Sequence, residues 1–189
     1  MKSIKPEKII LFGNPVLRQG SLPVVRFGKR LHDLLDTMHA TLAADDDGAA
    51  LAAPQISVLN RVVVISVEED FLELVNPEIL EARGEIVGPE GCLSLPGYTG
   101  NVRRAEEVTV KFFNRFGKEI IATRSGFMAR GIQHEIDHLD GILFIDRMEV
   151  DFVYGRDGKS RRAVRELREL TRLNSPEISK QSDKVEQKL

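Results

Sequence analysis

His134-Glu135-Ile136-Asp137-His138 constrains this chain more than any other stretch. Two histidines four residues apart fall on one face of a helix, close enough to share one metal ion. Glu135 projects beside that face, where a carboxylate can move protons for a water that the ion activates. The helix is expected from about Ser125, a candidate N-cap, to Asp140, with Gly141 as its stop. Gly131, one turn before His134, costs about 1 kcal/mol against alanine inside a helix and marks a place where something passes close.

Two histidines leave a catalytic site one protein ligand short. A downstream third ligand in the pattern HExxHxxGxxH fails here, because Phe144 stands at the required position. Glu149 and Asp151 keep an HExxH metallopeptidase reading open. Upstream, Cys92 is the single cysteine; its thiolate would complete a three-ligand set, and one cysteine forms no internal disulfide.

The remaining segments read in order. A helix is expected from about Phe27 to Ala44, with Phe27, Leu31, Leu34, Leu35, Met38 and Leu42 on its apolar face and His32 and His39 exposed. The acidic run Asp45-Asp46-Asp47 reads as a solvated turn, because Ile56 stands where a calcium loop needs its last ligand. Strands are expected at Arg61-Val67 and Phe71-Pro77, the second stopped by its proline, with Glu68-Glu69-Asp70 as the turn between them. A third begins near Glu85, followed by an ordered turn from Pro89 to Tyr98. Val108-Phe113 pairs with Glu119-Thr123, Ile142-Ile145 is a short strand, and Ser160 to Leu173 is a last helix capped by Ser160. On that helix Arg161, Arg165, Arg168 and Arg172 make a stripe, read as a solvated face with Glu166 and Glu169 as partners.

These elements predict an α+β fold, with antiparallel sheets packed around the helix that carries the histidines. Residues 1–173 form one catalytic domain and residues 174–189 a polar, disordered tail. A net charge of -2 argues against direct DNA binding. With no apolar run of membrane-spanning length and no signal-peptide core, the reading is a cytoplasmic protein without a membrane partner.

Three stretches together, Gly48-Ala49-Ala50-Leu51-Ala52-Ala53-Pro54-Gln55, Glu90-Gly91-Cys92-Leu93-Ser94 and Gln133-His134-Glu135-Ile136-Asp137-His138, resemble peptide deformylase in order and spacing. The resemblance implies removal of the formyl group from formyl-methionine of nascent polypeptides, with release of formate. It implies Cys92, His134 and His138 as metal ligands, Glu135 as general acid/base, and Gln55 with the Leu93 backbone N–H as oxyanion donors. It points to Fe2+, with Zn2+, Ni2+ or Co2+ as substitutes. It also suggests a ribosome contact through the C-terminal helix, and a substrate that pairs as an added strand. Glu90 is expected to have a structural role, and Asp137 either orients a histidine or faces solvent. The family's first motif has a second glycine where this chain has Ala50, which strains the backbone if φ is positive there and otherwise narrows the groove. A deformylase-like protein that binds formylated or nascent chains without turnover is the alternative of another class.

Overall fold

The computed structural model describes residues 4–45, 48–67 and 70–173. Helix α1 (Lys29–Ala43) buries Leu31, Leu35, Met38 and Leu42, as its periodicity predicts. Strands β1 (Ala50–Ala52), β2 (Val62–Val67), β3 (Asp70–Arg83), β6 (Glu107–Phe113) and β7 (Glu119–Ser125) form a five-stranded antiparallel sheet in the order β1-β2-β3-β6-β7. A second antiparallel sheet joins β4 (Ile86–Gly91), β5 (Tyr98–Arg104), β8 (Phe152–Gly155) and β9 (Arg161–Ala163) in that order. Helix α2 (Gly126–Leu139) packs against β1, β2 and β7, and α3 (Val164–Leu173) follows β9.

Apolar burial falls in three connected groups. One seals α1 onto β1 and β2 through Leu35, Met38, Leu51 and Val64. Another seals α2 onto the large sheet through Ala129, Ile132 and Leu139 against Val63, Ile65, Val108 and Val110. The last gathers Val102, Phe144, Val153, Val164 and Leu167 beneath the small sheet. Each removes a contiguous apolar face from water, which is what holds α2 rigidly between the sheets. Gly141 ends α2 at φ +73, and a Cβ there would sit 2.7 Å from the Arg18 carbonyl carbon, so only glycine allows that close approach.

Several expected boundaries differ. Pro77 does not stop its strand: β3 runs through it, because Asn76 adopts φ +53 and a register shift between Val75 and Glu78 places the proline at a bulge. The third strand continues through Pro89 to Gly91, and β5 starts at Tyr98, so the ordered turn shortens to the stretch around Cys92. Ile142-Ile145 is not a strand; Phe144–Asp146 forms a 3-10 turn, with the Leu143 N–H donating to Asp146. The last helix begins at Val164, since Ser160 caps a hairpin turn by bonding Asp157, and Arg161 therefore lies in β9. Ser125 precedes α2 but makes no side-chain cap bond. His39 and His32 are engaged: His39 bonds Glu73 at 2.9 Å, and His32 Nε2 donates to the Arg115 carbonyl at 2.9 Å. Asp46, Asp47, Glu68, Glu69 and the tail expected at 174–189 lie outside the described residues. Among the described residues, no helix is long and apolar enough to cross a membrane.

Candidate metal centre

Helical spacing brings His134 and His138 together with ring centroids 5.0 Å apart, both buried on α2. Cys92 arrives from the turn after β4, held by the Leu95 N–H bonding the Cys92 carbonyl at 2.9 Å. Its Sγ lies 3.2 Å from His138 Nε2, and the Cys92, His134 and His138 ligand atoms all fall within 4.8 Å of one another. One cysteine and two histidines at that separation match the donor set of a catalytic zinc or ferrous site, whose metal–ligand bonds are about 2.0–2.3 Å.

Protonation favours the same use. Burial alone pushes the Cys92 thiol up, but the charges of and hydrogen bonds from His138 and His134 outweigh it and hold the thiol well below its ordinary range. The thiolate is the form that ligates a metal. His134 is orientated from behind: its Nδ1–H donates to Glu90 Oε2 at 2.9 Å, which turns Nε2 toward the centre. Burial is opposed at Glu90 by hydrogen bonds from His134 and Arg104, and its carboxyl falls to about 2. Arg104 grips Glu90 through Nε at 2.9 Å and Asp137 through a second nitrogen at 2.6 Å, while Arg130 adds a further bond to Glu90 at 2.9 Å. The Asp137 carboxylate thus bonds arginines rather than a histidine; it also takes Arg147 at 2.8 Å and anchors the helix to the small sheet.

Glu135 is 4% exposed, burial raises its pKa, and its Oε2 has no hydrogen-bond partner among the described residues. A buried carboxylate oxygen without a partner is costly unless a ligand or water meets it. Gln55 is fixed in the opposite sense. Its Oε1 accepts from the Ala52 N–H at 2.8 Å, so its Nε2 faces Ser94 Oγ at 3.2 Å and Cys92 Sγ at 3.7 Å. Leu93 follows Cys92 along the same wall.

A groove of about 580 Å³ opens over these groups, lined by Ala49 and Ala50 on one side, Gly97 and Tyr98 on another, and Phe127, Met128 and Gly131 from α2. Ala50 has no positive φ, so the missing family glycine leaves no strain and its methyl simply borders the groove. Among the described residues nothing lies within 4 Å of a Cβ placed on Gly131, so they supply no close neighbour there; the glycine instead widens the groove.

All the expected site residues gather here. Phe144 stacks on His134, with centroids 6.1 Å apart at 23°. Glu149 is drawn away to Arg103, at 2.7 Å, and Asp151 is exposed. The roles of Arg104, Arg130 and Arg147 are not legible in the sequence. Their carboxylate partners are 14 to 40 residues away for Arg104 and Arg130 and ten for Arg147, and no local pattern announces them.

Comparison with known proteins agrees with this geometry. Residues 6–151 match the model of the family described as polypeptide deformylase. A peptide deformylase of Heliobacterium modesticaldum is 51% identical over 144 residues, 76% of this chain and 95% of the relative. The crystal structure of peptide deformylase from Thermotoga maritima superposes with TM-score 0.74 at 38% identity, covering 77% of this chain and 99% of that one. A class I type b peptide deformylase from Acinetobacter baumannii, crystallised with Met-Ala-Ser bound, superposes with TM-score 0.72 at 36% identity, covering 78% and 100%.

Proposed function

The chain belongs to the polypeptide deformylase family, metal-dependent enzymes that remove the formyl group from nascent peptides, and on that premise we propose that Cys92, His134 and His138 hold the metal while Glu135 carries the proton. The observation that carries this reading is the convergence of one thiol and two imidazoles beside a buried carboxylate oxygen with no hydrogen-bond partner among the described residues. A divalent ion held by Cys92, His134 and His138 would supply a water of lowered pKa and a Lewis acid for the formyl oxygen.

The protein's own groups supply the rest. Glu135 takes the proton of the attacking water at its free oxygen and passes it to the leaving amine as the formyl C–N bond breaks. Burial raises its pKa above that of an ordinary carboxylate, the direction that helps it hold the proton before returning it. Gln55 Nε2–H, held in place through the Ala52 N–H, donates to the formyl oxygen as negative charge grows there. The Leu93 N–H is the second donor. Formate and a free N-terminal amine leave. The peptide beyond the formylated residue lies between the Ala49-Ala50 wall and Gly97-Tyr98, adding backbone pairing to the sheets. Met-Ala-Ser in the Acinetobacter baumannii enzyme has the form of the product this reaction leaves.

Fe2+ is the ion we assign, because a thiolate with two imidazoles suits ferrous iron as well as zinc and the family resemblance points to iron; Zn2+, Ni2+ or Co2+ would substitute. Metal analysis of anaerobically purified protein tests the assignment. We also propose residues 1–173 as one catalytic domain acting in the cytoplasm, where nascent chains are made. Docking to the ribosome through α3 is tested by reversing Arg165, since truncation would remove Val164 and Leu167 from the core. Unchanged co-sedimentation of Arg165→Glu sinks that docking.

Formate release from formyl-Met-Ala-Ser tests the activity. The expected result is stoichiometric formate with Met-Ala-Ser as the other product. Cleavage of the unformylated peptide would favour a metallopeptidase, and tight peptide binding without formate would favour a silent binding protein.

A further inference from the structure

Gln55 and Leu93 sit on turns that are distant in the chain, the 3-10 turn Ala53–Ile56 and the turn after β4. Among the described residues no backbone hydrogen bond joins one turn to the other. Each is bonded instead to a third segment near the start of the chain. The Ile10 N–H donates to the Gln55 carbonyl at 2.8 Å. The Phe12 N–H donates at 2.6 Å to the carbonyl of Ser94, one residue past Leu93. Two residues of chain reach at most about 7 Å, so this link tethers the two turns at short range.

The strap is itself held at both ends. Upstream, the Glu7 N–H donates at 2.9 Å to Oγ1 of Thr41, a buried residue of α1. Downstream, the chain reverses at Gly13, φ +99, and the Asn14 N–H bonds the Leu11 carbonyl at 3.0 Å. Ile9 packs into the apolar group beneath α1, which also holds Ala53 and Ile56 of the Gln55 turn. Ile10 and Phe12 pack into the group beneath the small sheet, which also holds Leu95 and Cys92. The strap therefore has a foot in each of the two bodies that supply the turns.

We propose that Ile10 and Phe12 are positioning residues for the reaction, whose N–H groups set the distance between the two oxyanion donors. They act through Gln55 and through the turn that presents the Leu93 N–H. The inference rests on the deformylase reading and deepens it. A donor stabilises the growing charge only when it lies about 2.7–3.1 Å from the oxyanion, and a misplacement of about 1 Å costs about 100-fold in rate. Donors on two unconnected turns would shift independently, whereas a shared tether moves them together. The side chains repeat the link: Gln55 Nε2 meets Ser94 Oγ at 3.2 Å, so the bond that draws the Ser94 backbone to Phe12 also seats the Gln55 amide.

Formate release by Ile10→Pro, Gln55→Ala and the double variant tests the strap. Proline removes the Ile10 N–H and favours an extended residue before it. Ile10→Pro should lower kcat about 10- to 100-fold and leave KM within about threefold, as loss of a transition-state interaction does. Ile10→Ala, which trims the side chain and keeps the N–H, should recover most of that loss. In the Gln55→Ala background the same proline should cost less than about threefold, because its target is already gone. A merely structural strap would lower the rate by one factor in both backgrounds. That result overturns the proposal, as does a wild-type kcat in Ile10→Pro. If Ile10→Pro does not fold, Leu11→Gly decides, since Leu11 is 51% exposed and both bonds are kept while the link loosens. A loss of about two- to fivefold that vanishes in the Gln55→Ala background supports the strap, and no loss or an equal loss in both overturns it. The Gln55 side-chain amide signals of the zinc-loaded protein give a reading apart from turnover. They should shift in Ile10→Pro and far less in Ile10→Ala, and an unmoved pair in Ile10→Pro overturns the strap even where formate is released. A wild type that releases no formate, with those signals moved by the proline, overturns the activity alone.

Discussion

Glu90 Oε2 and His134 Nδ1 are 2.9 Å apart in a region where both side chains are less than a tenth exposed, and Arg104 and Arg130 close on the same carboxylate. That one glutamate therefore sets the orientation of His134, a proposed metal ligand, and neutralises buried guanidinium charge. Glu90→Ala removes both at once. It should lower metal affinity about 10- to 100-fold and destabilise the fold by about 3–5 kcal/mol, because Arg104 loses a partner in the interior. Metal titration and denaturant unfolding measure the two effects, and an unchanged metal affinity would mean His134 needs no support.

Gly131 should respond in opposite directions on stability and activity. Gly131→Ala adds about 1 kcal/mol to a helix interior, and its Cβ meets nothing within 4 Å. The added methyl projects into the groove wall, so KM should rise for peptides with a bulky first side chain and less for small ones. Thermal unfolding together with a series of first residues reads both. A fall in melting temperature would contradict the open space.

Ala50 pairs with Ile65 in β1 without a positive φ. Ala50→Gly should therefore change kcat/KM by about tenfold or less, as expected for one methyl at a pocket wall, while costing about 0.5–1 kcal/mol of stability. A gain of several orders of magnitude would mean that the natural chain is nearly inert.

Glu73 governs part of the acid limb of stability. Burial would raise its pKa, but hydrogen bonds from Arg115 and His39 outweigh it and bring the carboxyl to about 2. A folded value below the unfolded one means that the stabilisation is complete above about pH 4.5 and is lost as pH falls through about 2. For a pair partly open to solvent this amounts to about 1–2 kcal/mol. Glu73→Gln should be less stable near neutrality and flatter between those values, measured by urea midpoints against pH; parallel curves for the two proteins would refute it.

How much of this was legible follows from what each residue depends on. The run Val62–Val67 is β-branched almost throughout and declared itself a strand, and the apolar period of α1 declared its buried face. The placing of His134 and His138 on one face of α2 follows from helical geometry, and the choice of Cys92 as their proposed partner from its being the single thiol available. Strand β5 was hidden because the Gly- and Pro-punctuated stretch that reads as a turn runs into its first residue, Tyr98, although its burial alternates strictly up to Arg104. The course of β3 through Pro77 depends on the left-handed Asn76, a choice made by tertiary packing. The hairpin of β8 and β9 is too short to carry a period, and its place beside Tyr98 is set by pairing across more than fifty residues of chain. Arginine partners were illegible for the same reason: any of several carboxylates would have satisfied them.

The most direct test of the centre compares metal content and formate release in the wild type, Cys92→Ala and Glu135→Gln, all purified without air. The wild type should hold one divalent ion per chain and release formate. Glu135→Gln should keep the ion and lose about 10²- to 10⁴-fold in rate, as removal of a general acid/base does. Cys92→Ala should lose both. A Cys92→Ala protein that retains ion and activity, or a Glu135→Gln protein that turns over at the wild-type rate, would contradict it.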